Sequence, residues 1–445
     1  MEQLLDYIPQ ILFILAFAYA IYFFTRNVKR LKRNINLGKE EDRSNRKKER
    51  LNKMMRVALG QSKMVVKPIA GFLHVIVYVG FVIINIEVLE IIIDGVLGTH
   101  RIFSFIGPVY DVLIASFEIL AFLVLAGVIL FWTRRNISKI KRFFAREMTS
   151  WPKNDANNIL YFEVILMVLF LTMNATDHQL QINGAAHYVE AGAFPVSNFI
   201  LPLFENMSND TLVIIERSAW WLHILGILFF LNYLYYSKHL HILLAFPNVY
   251  FSRLDDLGKS SLNETVTKEV KTMMDPNADP YAEPEDDGEE PEKLGASDVT
   301  DLSWFQLLSA YTCTECGRCT SECPANQTGK LLSPRKIMMD TRDRLEEIGD
   351  HLNKGESTDD GKTLLDHYIT KEELWACTTC NACVEACPVG IDPLSIILDM
   401  RQYLMMEKSD ASPELNNAMS NIENNAAPWP YNQQDRLNWA NEESN

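Results

Sequence analysis

Cys313-Thr-Glu-Cys-Gly-Arg-Cys-Thr-Ser-Glu-Cys-Pro324 and Cys377-Thr-Thr-Cys-Asn-Ala-Cys-Val-Glu-Ala-Cys-Pro388 hold all eight cysteines of the chain in two copies of one spacing, C-x2-C-x2-C-x3-C-P. Three cysteines two residues apart can wrap one cubane [4Fe–4S] cluster from a tight loop. The fourth, at the start of a helix, points away toward a second cluster. On that logic Cys313, Cys316 and Cys319 share a cluster with Cys387, while Cys377, Cys380 and Cys383 share the other with Cys323. Zinc also uses C-x2-C, but it takes its ligands as two pairs and leaves the third cysteine and the Cys-Pro without a role. Disulfides fit poorly, because a doubled cluster motif implies assembly in a reducing compartment. Both clusters are therefore expected on the cytoplasmic side.

More than fifty residues separate the copies, and 333–348 reads as a helix opened by Pro334 in its first turn. Small two-cluster ferredoxins use a much shorter insert. With these motifs and this insert, 302–406 resembles the helical ferredoxin domain of heterodisulfide reductase, anaerobic glycerol-3-phosphate dehydrogenase and the iron–sulfur subunit of succinate dehydrogenase. That resemblance implies a relay of single electrons between a quinone-linked partner and a catalytic partner. Heterodisulfide-type catalytic subunits carry a cysteine-rich C-C-G module, which this sequence lacks. The terminal substrate site is accordingly expected on a separate cytoplasmic subunit, with the C-C-G type among the candidates.

The chain has 445 residues and a net charge of −15, but its two halves differ. Apolar runs at 8–24, 68–93, 108–132, 159–173 and 219–246 approach or exceed the roughly 20 residues that span a bilayer, the fourth being the shortest. Glu2 and Asp6 precede the first run and no A-x-A site follows it, which predicts an uncleaved first helix. Basic loops follow the first run (Arg26, Lys29, Arg30, Lys32, Arg33, then Arg46 to Arg50) and the third (Arg134, Arg135, Lys139, Lys141, Arg142, Arg146). Both belong inside by the positive-inside rule, and a nucleic-acid role for them is excluded by the adjoining membrane helices. Five spans then place the N-terminus outside and the cluster domain in the cytoplasm of a multi-pass inner-membrane protein. The organisation expected is 1–250 membrane, 251–300 acidic flexible linker, 301–408 helical ferredoxin domain and 409–445 polar tail. The fold class expected is all-α.

Intramembrane histidines are functional candidates because bare imidazoles in lipid are costly. His74 lies early in the second run, His223 follows Trp220-Trp-Leu, and the fifth run closes on Ser237-Lys-His-Leu-His241. Haem is the natural ligand. This half resembles the gamma subunit of respiratory nitrate reductase and the related cytochrome b subunits of heterodisulfide reductase and sulfite-reduction complexes. The resemblance implies a five-helix cytochrome b-like bundle with haem-ligating histidines on the second and fifth helices, which map onto His74, His223 and His241. The family's second histidine of helix two falls on Ile84 here. At 1.5 Å per residue His74 sits about 10 Å beyond Lys67, near the level of His241, whereas His223 sits about 22 Å above Lys238. One b-type haem is expected between His74 and His241. A second, at His223, would need His178 or His100 as partner. His239 reads as a snorkelling interfacial side chain.

Glu87 and Glu90 on the second run and Glu118 on the third cluster toward the outer side. Buried carboxylates mark proton or quinone pathways, or else structural ion pairs with a residue such as Arg101. Quinol oxidation releases protons as well as electrons, so an acceptor carboxylate is useful. The stretch 274–292 is too acidic and proline-rich to pack a core and reads as a tether. Trp429, Tyr431 and Trp439 stand on a polar tail and are expected to dock on a partner. The function expected is a membrane electron-transfer subunit working between quinol or quinone, b-type haem, two [4Fe–4S] clusters and a catalytic partner. The alternative is a membrane redox sensor or transporter-associated subunit that uses the clusters for signalling.

Overall fold

The computed structural model describes residues 7–259, 264–276 and 293–442. Residues 277–292 of the acidic stretch, with Glu2 and Asp6, lie outside the described residues. Among those described, the chain is helical and has no β-strand; an isolated bridge joins Lys39 to Ser303.

Among the described residues five helices are long and apolar enough to cross a membrane: α1 (Ile8–Ile35), α2 (Pro68–Leu97), α3 (Pro108–Asn136), α4 (Ser150–Ile182) and α5 (Asn209–Tyr233, carried to Tyr236 by a 3-10 turn). Proline sits in the first turn of α1, α2 and α3, where the missing N–H costs nothing. Helices α2 to α5 pack in order, chiefly each on its sequence neighbour, and α1 lies against both α2 and α5. Phe13, Tyr110, Ile114, Phe117, Phe170, Trp220 and Ile224 fill part of the interior.

Two spans differ from the sequence expectation. The fourth is not the short run 159–173 but a 33-residue helix, because its upper half carries Asn174, Thr176, Asp177 and Gln179, all buried inside the ring. Hydropathy ends a helix where polar residues begin, yet here Asp177 and Asn174 are paired with Arg101 of the loop after α2, and Asn174 also with Glu118 of α3, while Thr176 bonds back to its own helix. The fifth run is not continuous either. Ser237 takes an extended conformation (φ −113°, ψ 151°), its Oγ accepts from His239 N, and a separate helix α6 (His241–Phe251) starts at His241.

The cluster-motif domain is built on α7 (Trp304–Thr312), α8 (Pro334–Lys354) and α9 (Pro393–Met406), with short helices at each motif. Ser303 and Ser333 cap α7 and α8. Ala296 and Val299 are already buried in its core, so the domain begins before residue 301. The same core takes in Leu31 of α1 and Leu240 of the turn before α6, which makes the two halves continuous. Asn34 Nδ2 donates to Tyr311 Oη at 3.0 Å, Arg33 Nη2 to Gly349 O at 2.8 Å, and Arg335 Nη2 to Glu147 Oε1 at 2.6 Å. Both basic loops thus lie at the end of the ring that carries the motif domain. Trp429, Tyr431 and Trp439 remain exposed.

Gly349 marks a close approach across this seam, since a Cβ there would overlap the Asn34 side-chain amide. Gly349→Val is expected to part α1 from α8. Tryptic cleavage after Arg33 should then run well above the wild-type rate, with iron content unchanged.

Candidate functional site

All eight cysteines are free thiols. Cys323 from the first motif joins Cys377, Cys380 and Cys383 in lining one cavity, closed by Leu332, Pro334, Leu394 and Ile397. Cys387 from the second motif is the reciprocal case, lying within electrostatic reach of Cys313, Cys316 and Cys319. The fourth cysteine of each motif has therefore crossed to the other loop. Burial pushes the Cys313 and Cys383 thiols up to about 12 and Cys387 up to about 11, with neighbouring sulfurs adding to the rise. The shift favours the neutral thiol, so only a bound cation would hold these sulfurs as thiolates.

A zinc tetrahedron with Zn–S of about 2.3 Å would draw its sulfurs within about 4 Å of one another. Among the described residues, the set of three such donor groups gathered within 4.8 Å is Glu347, His351 and Asp360, not cysteine. Arg344 already binds Asp360 at 2.7 and 2.9 Å, and Lys362 binds Glu347, so that set is a salt-bridge network.

The first motif loop is buried against the ring, whereas Thr378, Thr379 and Cys380 of the second are exposed. Arg318 donates to Lys63 O and Met64 O, both at 3.2 Å, and Lys238 Nζ donates to Glu315 Oε2 at 2.6 Å. Burial opposes the charge on Glu315, yet Lys238 and Arg342 hold its carboxyl below the usual range.

Directly behind this loop three imidazoles meet. His239 and His241 have ring centroids 5.5 Å apart, and His74 lies within electrostatic reach of both. His241 Nδ1 bonds to Lys238 O at 2.9 Å, which fixes its tautomer and leaves Nε2 free to act as a ligand. His74 Nδ1 and His239 Nδ1 are buried without a protein partner. The unpartnered nitrogen of His74, within electrostatic reach of His241, is available to a bound group. His239 is half-buried against Phe230, with its Nε2 3.9 Å from Glu163.

His223 is buried, its Nδ1 bonds to Leu166 O at 3.0 Å, and it packs on Phe170. His178 lies eight residues beyond Phe170 on α4, about 12 Å further from the motif domain. It stacks on Phe194 instead, and His100 faces Asp177 at 3.4 Å. The structure does not bring His223 together with either.

At the end of the ring away from the motif domain Arg101 is a hub. Its Nε donates to Asp177 Oδ2 at 2.5 Å, Nη1 to Tyr110 Oη at 3.1 Å and Nη2 to Asn174 Oδ1 at 3.2 Å. Glu90 accepts from Phe103 N and Tyr110 Oη, both at 2.8 Å. Glu118 accepts from Asn174, Val196 N, Ser197 N and Ser197 Oγ. These two carboxylates are saturated and tie loops to the ring. Glu87 is different: one of its oxygens is buried with no partner. Asp177 and Asn174 went unrecognised in the sequence because they lie past the apolar run, and Glu315 and Lys238 because nothing in the spacing singles them out.

Glu118→Ala would leave Ser197 N buried and Val196 N partly buried, both unpaired, at about 1–3 kcal/mol for the buried one. A drop of several degrees in the unfolding midpoint of the detergent-solubilised protein is expected, read by differential scanning fluorimetry.

The 4Fe-4S dicluster domain family matches residues 312–391. The probable iron-sulfur-binding oxidoreductase FadF of Bacillus subtilis is 31% identical over 97% of this chain and 61% of its own length. The EtfAB:quinone oxidoreductase of Syntrophomonas wolfei is 25% identical over 86% of the chain and 53% of its own length. One subunit of the ferredoxin:CoB-CoM heterodisulfide reductase of Methanosarcina mazei is 32% identical over 24% of the chain and 53% of its own length. The chain thus spans between half and two thirds of the first two of these relatives. No solved structure matches it. It carries a 4Fe-4S dicluster domain and is related to iron–sulfur oxidoreductases and heterodisulfide reductase subunits.

Proposed function

We propose that this chain is the membrane electron-transfer subunit of a quinone-linked oxidoreductase, with its N-terminus outside and its motif domain in the cytoplasm. Cys313, Cys316, Cys319 and Cys387 would hold one [4Fe–4S] cluster, Cys377, Cys380, Cys383 and Cys323 the other, and His74 with His241 a b-type haem. When bound, these groups supply one-electron carriers between the quinone pool and a cytoplasmic partner. The name of the Syntrophomonas relative suggests a partner of the EtfAB type.

The observation that carries this reading is the docking of the crossed cysteine groups against the end of the ring that holds the three imidazoles. The chain's own residues do the rest. Lys238 orients His241 through its carbonyl, Leu166 orients His223, and Glu87 keeps one carboxyl oxygen available for a proton inside the ring. The exposed second loop, with Cys380 at the surface, faces a partner. Reading the membrane half as a nitrate reductase gamma-like bundle rests on the histidine positions and the five-helix ring.

Purified anaerobically, the chain is expected to contain close to eight irons and eight acid-labile sulfides. It should also show a b-type reduced-minus-oxidised spectrum that develops on adding a menaquinol analogue. About two zincs per chain, or no haem absorption, would defeat the reading.

A further inference from the structure

The two motif loops provide an internal control. Each takes left-handed backbone at its third and fifth positions, Glu315 (φ 53°) and Gly317 (φ 71°) in the first, Thr379 (φ 55°) and Asn381 (φ 59°) in the second. A side chain in that region is strained whichever copy it is in, so the loop geometry requires no particular residue there. In the second copy an exposed threonine suffices. In the first the equivalent position holds a buried glutamate, which must be compensated to leave water. Its presence is explained by what it touches.

Glu315 Oε2 accepts from Lys238 Nζ at 2.6 Å and Oε1 accepts from Arg342 Nη1 at 2.7 Å. Lys238 is also fixed by Asp155, which accepts from its backbone N at 3.1 Å, and by Pro152 O, which accepts from Nζ at 2.7 Å. Its own carbonyl holds His241 at 2.9 Å. A single residue thus grips the imidazole with its main chain and the first motif loop with its side chain.

We propose that Lys238 and Glu315 are positioning residues that lock the His241 turn onto the first motif loop and bias, with opposite signs, the reduction potential of the cluster held there. The inference rests on the cluster and haem assignments above. Reduction adds negative charge to the site, so a neighbouring cation favours it and a neighbouring anion opposes it.

The test uses the full chain in detergent and a redox titration followed by EPR. Glu315→Gln keeps the shape and removes the anion, and is expected to raise the first-cluster reduction equilibrium constant about tenfold. Lys238→Met is expected to lower it by a similar factor, Lys238→Arg to stay near wild type, and the second cluster to move less in every variant. Shifts of the same sign in Glu315→Gln and Lys238→Met would mean general loosening and would overturn the proposal, as would unmoved potentials. If a single variant loses iron, the neutral pair Lys238→Met with Glu315→Gln decides. Its potential should return to the wild-type value, and a persisting tenfold displacement counts against the proposal. Wild-type protein without iron or haem would instead remove the functional reading on which this stands.

Discussion

Cys387→Ser is expected to remove the cluster of the first motif, although Cys387 belongs to the second. The two fourth cysteines have crossed: Cys323 lines the cavity of Cys377, Cys380 and Cys383, and Cys387 sits with Cys313, Cys316 and Cys319. Cys387→Ser and Cys316→Ser should therefore share one EPR defect, and Cys323→Ser and Cys380→Ser the other, each variant retaining about four of eight irons. The two defects should also differ in consequence. Loss at the first loop, which is buried against Lys63, Lys238 and the imidazoles, should uncouple the motif domain from the haem spectrum. Loss at the exposed second loop should leave quinol-driven haem reduction intact and block only transfer to an external acceptor. If Cys387→Ser matched Cys380→Ser instead, each motif would build its own site and the crossing would be wrong.

Much of this architecture was legible because the signals are local. Cysteine spacing alone gives the crossing, apolar run length alone gives α1, α2 and α3, and Ser333-Pro334 gives the start of α8. What escaped depends on distant partners. The upper half of α4 is polar in sequence and buried in space, because Arg101 supplies from another loop what water would otherwise supply to Asp177 and Asn174. The break before α6 hinges on Ser237 capping its own turn, in a stretch that reads as one apolar run. Glu90 and Glu118 looked like Glu87 in sequence; only their hydrogen-bond partners separate the saturated pair from the carboxyl with a spare oxygen. Glu315 could not be read at all, since its meaning comes from Lys238, 77 residues away.

His74→Ala and His241→Ala are each expected to abolish the b-type haem proposed near the motif domain while leaving the iron content of the clusters at the wild-type level. Axial ligation needs a neutral imidazole with one nitrogen free. Burial lowers the pKa of His241 from its ordinary value, so it stays neutral, and the Lys238 carbonyl holds its Nδ1 at 2.9 Å. His74 comes from α2 on the facing side, where its buried Nδ1 has no protein partner. His239 is the internal control, for its ring lies 5.5 Å from that of His241 but turns toward Phe230 and Glu163. His239→Ala should keep the haem; loss of haem there, with retention in His241→Ala, would exchange the two assignments. The far end gives a sharper contrast. His223 is oriented by Leu166 O as a ligand would be and packs on Phe170, whereas His178 stands eight residues, about 12 Å, beyond Phe170 on α4. His178→Ala should therefore leave the haem spectrum unchanged, and a loss of absorption in that variant would mean that α4 brings His178 to an iron in spite of its position in the ring.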